Sequence, residues 1–517
     1  MKLKKNSLNI MKVVVIGSGL AGLTAAAYMC REGHDVTVHE QFSEIGGVTA
    51  TIHKDGYSWD IGPLLLEGLA PYERLGKILA ELGIYDKISI IHEDRGQVLP
   101  DFELWRPEEY KGKYWRREYF KELFPSESEG LDRYYRYYDQ VMTLMAINSR
   151  LEWAKGLEAI WLKLKIFPKF LKVKKYMDKS AAEVMDSFFD EPKIKAVFMG
   201  ILADFVVKPS EFPGLGVPVS NVETAFDKRI PVKIKGGNLP VYHYIKNGCE
   251  QLVNAFAGYI KENGGKIHTR SLVEEILIEN NKATGIKLKN GEEISADIVI
   301  ASGGAHKTFF GLVGKEKLPS EFVKNVENLV HMESVLMVHI GIDFDPTPHQ
   351  RAALCYYYGT YDIEGAVVRC RSGDYHEGKQ GFLIYVPSKH SPDMAPSGHH
   401  AITVYTIAPY ILSKGDWASR SEELADKLLI EAEKRIPGLR EHSTTEVIMT
   451  PLDFKSRIFV DRHSFGGLAP IMNQQSPPHH TPIDNLWYVG AQSESGGGVA
   501  GVVAGTRRGI LKLLNEI

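Results

Sequence analysis

The stretch Val13-Val14-Val15-Ile16-Gly17-Ser18-Gly19-Leu20-Ala21-Gly22 decides the fold of this chain. Its β-branched residues predict a buried strand, its glycines predict a tight turn, and the alanine-rich residues through Cys30 predict a helix. A second predicted strand over residues 35–39 leads directly to Glu40. Strand, glycine turn, helix, strand and acid, in this order, are typical of a βαβ unit that binds a dinucleotide.

Each glycine of this turn has a mechanical role. Gly17 permits the tight turn out of the strand, and Gly19 lets the backbone and the helix N-terminus approach a pyrophosphate. Gly22 lets the helix pack closely on the strand, and Glu40 accepts a hydrogen bond from a ribose hydroxyl. An ordinary glycine-rich turn between a strand and a helix is the alternative, and the flanking pattern favours the dinucleotide unit.

Composition narrows the class of protein. With 517 residues, the chain exceeds what one hydrophobic core usually supports, so we expect two or three lobes. A net charge of −3 gives no reason to expect a nucleic-acid partner. The four cysteines are far apart, without metal-ligand spacing, which predicts buried thiols in a reducing compartment and no metal site. No secretory signal is visible, so we expect a cytoplasmic protein.

Two segments near the N-terminus need separate interpretation. Residues 13–30 carry no charge and are long enough for a transmembrane helix, but their glycines and the βαβ pattern argue against a membrane span. Residues 1–10 are polar and lysine-rich, which predicts a flexible extension.

Further glycine turns follow predicted buried strands far along the chain, over residues 296–304 and 485–501. Such distant strand-and-turn units suggest one sheet assembled from separate segments. Between them, residues 236–237 precede a predicted helix over 241–263, which Gly264-Gly265 ends. Residues 273–279 and 283–289 alternate as antiparallel strands, with Asn290-Gly291 as a hairpin turn.

Several motifs together resemble one family. They are the glycine turn with Glu40, the Gly46-Gly47 loop, the Trp59-Asp60-Ile61-Gly62-Pro63 element, the stretch 388–398 and the tail 490–501. In this order they resemble the phytoene desaturase, carotene isomerase and retinol saturase family of FAD-dependent oxidoreductases, within the amine oxidase-like FAD superfamily. The resemblance covers nearly the whole chain and is weakest between residues 100 and 230.

The resemblance implies an α/β fold. A Rossmann-like FAD-binding domain would be assembled from discontinuous segments, beside an α+β substrate-binding domain and a helical region that faces a membrane or forms a lid. The expected segments are the flexible extension 1–10, FAD-binding parts 11–100, 231–311 and 441–517, and substrate-domain parts 101–230 and 312–440.

The resemblance also assigns cofactor contacts. The first glycine turn would face the FAD pyrophosphate, Glu40 the ribose, and the paired-glycine loop the phosphate and ribityl region. Val499 would present its amide near the pyrimidine edge of the flavin. The predicted cofactor-binding residues are Gly17, Gly19, Leu20, Ala21, Gly22, Glu40, Gly46, Gly47, Val48, Gly62, Pro63, Val273, Gly490, Ala491, Gly498 and Val499.

One departure concerns the paired-glycine loop. In phytoene desaturases an arginine commonly follows the glycine pair, where it neutralises phosphate or orients the flavin, and here Val48 stands in its place. The implied function is oxidation, reduction or isomerisation of C–C and C=C bonds in an apolar polyprenoid, carotenoid or retinoid-like substrate. The electron donor or acceptor and the direction stay open. Flavin amine oxidase and a prenyl-lipid carrier of the Rab GDP-dissociation inhibitor type are the alternatives.

Candidate catalytic and membrane-binding residues complete the sequence-based expectations. Glu494, before the last glycine turn, is a candidate acid or base, and a solvated turn residue is the alternative.

Residues 157–177 combine apolar and lysine positions at near-helical spacing, which predicts peripheral membrane association or a basic surface helix, interrupted at Pro168. The tyrosine cluster over 134–138 predicts an amphipathic helix rather than nucleic-acid stacking. Residues 356–358 predict an aromatic strand.

Overall fold

The computed structural model describes residues 10–203, 206–462 and 465–517, so the expected extension lies outside the described residues except for Ile10. The α-helices in these ranges are α1 Leu20–Arg31, α2 Arg74–Glu81, α3 Trp115–Leu123, α4 Ser128–Leu151, α5 Gly156–Val173, α6 Ala181–Asp186, α7 Pro192–Met199, α8 Gly216–Ser220, α9 Glu250–Glu262, α10 Ser320–Glu327, α11 Ile363–Arg371, α12 Trp417–Glu433, α13 Pro451–Ile458 and α14 Val499–Glu516.

The β-strands come from the whole length of the described chain. They are β1 Lys12–Ile16, β2 Asp35–His39, β3 Thr51–Lys54, β4 Tyr57–Asp60, β5 Leu66–Glu67, β6 Ile90–Ile91, β7 Arg95–Val98, β8 Glu103–Leu104, β9 Lys233–Ile234, β10 Gly237–Asn238, β11 Tyr242–Ile245, β12 Lys266–His268, β13 Val273–Glu279, β14 Lys282–Leu288, β15 Glu293–Ser295, β16 Ile298–Ala301, β17 Ser334–Ile342, β18 Leu354–Tyr358, β19 Gly381–Tyr385, β20 His400–Ala408, β21 Ser443–Met449 and β22 Leu486–Tyr488.

A five-stranded parallel sheet forms the first layer, in the order β12-β2-β1-β16-β22. Its central strand β1 pairs Val13 with Val36 on one side and with Ile298 on the other. Helices cover such a sheet on its faces, so β16 and β22 are apolar throughout and β1 is apolar after Lys12, whereas β2 and β12 at the other side of the sheet alternate. The sequence-based expectation of one sheet built from distant segments is confirmed, as is the α/β fold.

The predicted helix over 241–263 is wrong in its first half. Residues 242–245 form β11, which pairs with β5 on one edge and β6 on the other, and the helix α9 begins only at Glu250. Asn247 and Gly248 both adopt positive φ, so the chain turns sharply between the strand and the helix. The glycine pair 236–237 likewise leads into β10 rather than into a helix.

A hairpin follows the helix as expected. Strands β13 and β14 pair in antiparallel fashion, and the Asn290-Gly291 turn leads from β14 to its next partner, β15. Gly291 has a φ of +87°, which a residue without a Cβ adopts at little cost.

A seven-stranded sheet forms the second layer, in the order β21-β17-β20-β19-β18-β7-β8. It includes β7 and β21, which the sequence-based boundaries at residues 100 and 440 assigned to the dinucleotide-binding lobe. The predicted aromatic strand over 356–358 is part of β18, near the middle of this sheet. Tyr356 on β18 is half-buried, whereas Tyr357 and Tyr358 are buried.

The helical lobe has an aromatic core. The cluster over 134–138 lies on α4, and its four tyrosines are each at most 2% exposed, so they form core contacts. Arg116 of α3 is fully buried against this core, with its guanidinium 3.7 Å from the ring centre of Phe226 and 3.3 Å from the carboxylate of Glu223. Tyr135 donates a second hydrogen bond to this carboxylate at 3.1 Å.

The structure also decides three smaller points. All four cysteines are buried free thiols, as expected. Within the described ranges, no helix has the length and apolarity that crossing a membrane requires, in line with the interpretation of residues 13–30 as strand, turn and helix. Pro168 does not interrupt α5, contrary to expectation. The carbonyl of Leu164, which loses its helical donor, belongs to a residue that is 71% exposed, so water reaches it.

Replacing Arg116 with Leu tests the buried ion pair. The change leaves Glu223 charged and buried without its main partner, so we expect the free energy of unfolding to fall by about 3–5 kcal/mol. Arg117→Leu, which removes an exposed partner of Glu118 on the same helix, should cost about 0–1 kcal/mol. Urea unfolding followed by intrinsic fluorescence measures both, and equal losses would contradict the assignment.

Candidate functional site

The turn between β1 and α1 is held by close backbone contacts. A Cβ on Gly22 would lie 1.9 Å from the carbonyl oxygen of Gly17, so only glycine fits there. Ser302, at the end of β16, donates its hydroxyl to the carbonyl of Ile16 at 2.7 Å. The predicted helix start at Leu20 and Ala21 is buried beneath this turn. The turn is therefore fixed from both sides by main-chain contacts.

Glu40 ties the end of β2 to the same turn. One of its carboxylate oxygens accepts hydrogen bonds from the backbone N–H of Ser18 at 2.9 Å and from its hydroxyl at 2.6 Å. The other oxygen accepts from the N–H of Phe42 at 3.0 Å. Ser271, two residues before Val273, donates its N–H to the carbonyl of Glu40 at 2.7 Å, which brings the start of β13 to this corner.

The Gly46-Gly47 loop lies against the first turn. Gly46 donates its N–H to the carbonyl of Ser18 at 3.0 Å and forms an isolated parallel bridge with Gly19. A Cβ on Gly47 would lie 3.4 Å from the Cα of Gly19. The two glycine turns, separate in sequence, thus form one surface.

Arg457 reaches this loop from α13. Its Nε donates to the carbonyl of Gly47 at 2.6 Å, and its guanidinium lies 5.2 Å from the ring centre of Phe42. Burial lowers the pKa of Arg457, while the charges of Glu40 and Glu44 oppose this change. The ordinary pKa of an arginine side chain is far above neutral pH, so the guanidinium of Arg457 stays positively charged. A cation therefore lies at the loop although Val48 occupies the position after the glycine pair.

The C-terminal glycine turn joins the same edge of the sheet. A Cβ on Gly490 would lie 3.3 Å from the carbonyl oxygen of Ser302 and 3.5 Å from the Cβ of Ala21. Ala491 follows directly, half-buried. Three segments that are hundreds of residues apart in sequence thus converge where the parallel strands end, which is where open α/β sheets bind their ligands.

The element around Gly62 and Pro63 packs on the paired-glycine loop. A Cβ on Gly62 would lie 2.0 Å from the carbonyl oxygen of Val48, and the carbonyl of Pro63 accepts a hydrogen bond from the Cys249 thiol at 3.2 Å. Asp60 accepts from the N–H of Cys249 and the hydroxyl of Thr51, both at 2.7 Å. Burial raises the pKa of Asp60 to about 6.

The start of α14 forms the other end of the site. A Cβ on Gly498 would lie 2.9 Å from an oxygen of Glu67, and a Cβ on Gly68 would lie 2.6 Å from the Cβ of Ala500. The predicted cofactor residues Gly498 and Val499 therefore lie beside the end of β5. Glu494 faces elsewhere, because its carboxylate accepts the N–H of His479 at 2.9 Å and lies 3.1 Å from the ring Nδ1.

The site has room and partial charge for a bound dinucleotide. A Cβ on Gly19, Gly496 or Gly497 would meet nothing within 4 Å, so open space lies before the N-termini of α1 and α14. Neither N-terminus is capped by a side chain, which leaves N–H groups for an anion. In the described part of the chain, no His, Cys, Asp and Glu group suited to a metal is found.

Comparison with known proteins agrees with this geometry. Residues 20–508 match the family described as flavin containing amine oxidoreductase. The chain belongs to this family. FAD is accordingly the cofactor, and the residues at the strand ends fit a flavin dinucleotide.

Individual relatives cover almost all of the chain. Prolycopene isomerase from Daucus carota is 25% identical over 95% of this chain and 77% of its own length. Phytoene desaturase (neurosporene-forming) from Rhodobacter capsulatus is 24% identical over 97% of this chain and 93% of its own. The crystal structure of an oxidoreductase from Methanosarcina mazei superposes with a TM-score of 0.62 at 20% identity, covering 98% of this chain and 100% of its own.

Two site residues escaped the sequence analysis. Arg457 lies in a helix far from every glycine motif, so no local pattern marks it. Glu67 follows the Gly62-Pro63 element by a few positions, and its acidic side chain among Leu64, Leu65 and Leu66 is a signal that the sequence does contain. Both lie at the site only because distant segments meet there.

Replacing Arg457 with Gln tests its role at the paired-glycine loop. Loss of a positive charge beside the diphosphate should raise the Kd for FAD about tenfold, which corresponds to about 1.4 kcal/mol. Lys455→Gln is the matched control, because Lys455 lies on the same helix and pairs with exposed Asp461. Fluorescence titration of the apoprotein with FAD measures both values, and equal Kd values for the two variants would argue against the role.

Proposed function

We propose that this chain is an FAD-dependent oxidoreductase that desaturates, saturates or isomerises C–C and C=C bonds of an apolar polyprenoid, carotenoid or retinoid-like substrate. The observation that carries the proposal is an apolar, aromatic wall beside the Gly62-Pro63 element. It consists of buried and half-buried side chains from the seven-stranded sheet and the segments facing it: Leu64, Leu65, Tyr244, Met337, Leu354, Tyr356, Leu383, Tyr385, Tyr405, Phe454 and Phe465.

This wall suits a long hydrocarbon. Tyr244 and Tyr385 stack with ring centres 5.5 Å apart, and burial raises the pKa of both hydroxyls well above the ordinary value. These two rings are packed away from solvent and support the wall, while the half-buried Leu65, Tyr356 and Phe465 supply its accessible apolar surface. Such a surface binds apolar chains by area rather than by charge. Relatives named as a prolycopene isomerase and a phytoene desaturase support the same substrate class.

The residues that would hold FAD are those of the converging turns. We propose that the Gly17 to Gly22 turn, Gly46-Gly47, Gly490-Ala491 and the start of α14 carry the diphosphate and the flavin edge, with Arg457 as the counter-charge. Glu40 and Val273 would lie at the adenosine end, with Glu40 orienting Ser18 as well as a ribose hydroxyl. Bound flavin supplies hydride acceptance or donation, and the protein binds, orients and excludes water.

The alternatives lack a comparable observation. Arg95, on β7 of the same sheet, lies with its guanidinium 5.7 Å from the ring centre of Tyr356 and 5.8 Å from that of Tyr242. An amine oxidase must admit an amine substrate. The positive charge of Arg95 at this place repels the protonated form of such a substrate. A non-catalytic lipid carrier has no need of two open helix N-termini beside glycine turns.

Flavin content and electron exchange test the proposed function. The purified protein should be yellow after desalting, and Gly22→Ala should be colourless because its Cβ would lie 1.9 Å from the Gly17 carbonyl oxygen. Anaerobic mixing with polyenes should reduce the oxidised flavin, reoxidise the reduced flavin, or change polyene geometry measured by chromatography. Bleaching by amines with no exchange with any polyene would overturn the assignment.

We also propose that α5 attaches the protein to a membrane surface. Its apolar side chains point outward: Leu157 is 85% exposed, Leu164 71% and Phe167 63%. Six lysines flank this face, and none of them forms a salt bridge with another described residue: Lys163, Lys165, Lys169, Lys172, Lys174 and Lys175. An amphipathic helix with this charge suits anionic headgroups.

A cavity opens beside this helix. It has a volume of about 340 Å³ and is lined by Leu144, Met145, Asn148, Ile166, Phe167 and Phe170 of α4 and α5. An apolar opening in a lipid-facing surface would let a hydrocarbon substrate leave the bilayer without crossing water. Moving the exposed apolar surface of α5 from water into the membrane would contribute roughly 25 cal/mol per Å² to the free energy of binding.

Replacing the six lysines of α5 and the following turn with Gln tests the electrostatic part. Binding to vesicles that contain anionic lipid should weaken at least tenfold, because each basic residue near such a surface contributes about 1 kcal/mol. The control replaces six exposed lysines on the opposite lobe: Lys261, Lys266, Lys282, Lys289, Lys317 and Lys324. Co-sedimentation measures both, and equal binding of the two variants would exclude an electrostatic contribution from α5.

A further inference from the structure

The carboxylate of Glu67 stands without a recorded partner among the described residues. In the described chain, no hydrogen bond or ion pair reaches it, and Arg74, at the start of α2, donates instead to Glu152 at 2.8 Å. The side chain is exposed to a water-sized probe, yet desolvation raises its pKa. Glu67 therefore lies where protein surrounds it closely while solvent still reaches it, as in a recess between elements.

The carboxylate is aimed at the start of α14. One oxygen lies 2.9 Å from the position that a Cβ on Gly498 would occupy, and Gly496 and Gly497 before it border open space. The contact between Gly68 and Ala500 holds the end of β5 against this helix. The carboxylate is therefore fixed at the turn that the sequence assigns to the flavin edge.

Aromatic side chains surround the same position. Tyr242 pairs directly with Glu67 across β11 and β5, and its ring is half-buried. Arg95 lies over the rings of Tyr242 and Tyr356, which joins β5 to the apolar wall on the seven-stranded sheet. A hydrocarbon lying along this wall would pass the carboxylate.

We propose that Glu67 is the catalytic acid–base residue of this site. The inference rests on the proposed function. In desaturation, one C–H bond breaks with its electron pair leaving as hydride to oxidised FAD. The adjacent C–H bond breaks with its proton going to the Glu67 carboxylate, and its electron pair forms the second bond of the C=C. Saturation is the reverse, with reduced FAD as the donor of hydride and the Glu67 carboxylic acid as the donor of the proton.

The other acids near the site have structural partners. Glu73 accepts from the N–H groups of Ala70 at 2.9 Å and Val241 at 3.0 Å, and Asp60 is held by Thr51 and Cys249. Glu494 is engaged with His479. Of these four acids, Glu67 is the one for which the described residues show no side-chain partner.

The charged and titratable groups that face Glu67 set its pH response. Desolvation raises the pKa of Glu67, the charge of Arg74 on α2 opposes this, and the net direction is upward. Tyr242 stays neutral because burial and the charge of Glu67 raise its pKa. Glu73, whose pKa is raised to about 7 chiefly by burial, also responds to the charge of Glu67. The desaturation rate should therefore rise with pH through a pKa above that of ordinary glutamate, as the carboxylate form accumulates.

Glu67→Gln in the holoenzyme tests the catalytic role. We expect unchanged flavin content and absorbance, with turnover of the polyene lowered about 10²–10⁴-fold. Loss of the acidic limb in the pH profile of desaturation should accompany this change. In the saturation direction, transfer of deuterium from solvent to product should be lost, and both properties should recover partly in Glu67→Asp. The control is Glu441→Gln, an exposed glutamate before β21. Turnover within about twofold of the unaltered protein, with the same pH profile, would overturn the proposal.

A measurement without substrate separates this proposal from the proposed function. Photoreduction of the flavin adds charge beside the carboxyl group, so infrared difference spectra should show a carboxyl stretching change. That change should be absent in Glu67→Gln and shifted in Glu67→Asp, and identical spectra would overturn the role of Glu67. If the unaltered holoenzyme exchanges electrons with no polyene, the proposed function fails, while the infrared result still decides on Glu67.

Discussion

The contact between Gly22 and the carbonyl of Gly17 is the constraint on which the site depends. It lets α1 approach β1 so closely that the helix N-terminus points along the strand end. Ser302 from β16 and Gly490 after β22 then pack on the same backbone, and each adds a turn to one surface. A side chain at Gly22 would separate these layers, so the geometry of three distant segments rests on one missing Cβ.

The second lobe supplies what the parallel sheet lacks. The parallel strands end in glycine turns that offer N–H groups and little side-chain chemistry. The seven-stranded sheet brings aromatic rings and Arg95 to face them, and the short pairing of β5 with β11 places Glu67 between the two layers. In the proposed function, binding of the dinucleotide and contact with an apolar substrate would be divided between different sheets.

Local patterns explain what the sequence predicted well. The glycine turns, the α4 tyrosine helix and the β13 to β14 hairpin are encoded by neighbouring residues, so they could be recognised from sequence. Residues 242–245 were misassigned because their strand depends on partners at 66–67 and 90–91, which periodicity does not reveal. Arg457 could not be found for a related reason, since it reaches the site through contacts that only the three-dimensional fold creates. Glu67 has a local signal, an acid after three leucines, but its position beside α14 again depends on the fold.

The assembly of the parallel sheet has a consequence for biosynthesis. Strand β1 is made first, but its partner β16 begins at Ile298 and the edge strand β22 at Leu486. Until those residues emerge from the ribosome, one edge of the apolar strand Val13-Val14-Val15-Ile16 has no native partner. An unpaired apolar edge of this kind is prone to pair with other chains. The same discontinuity that gathers the turns into one site thus makes the nascent chain a natural client for chaperones.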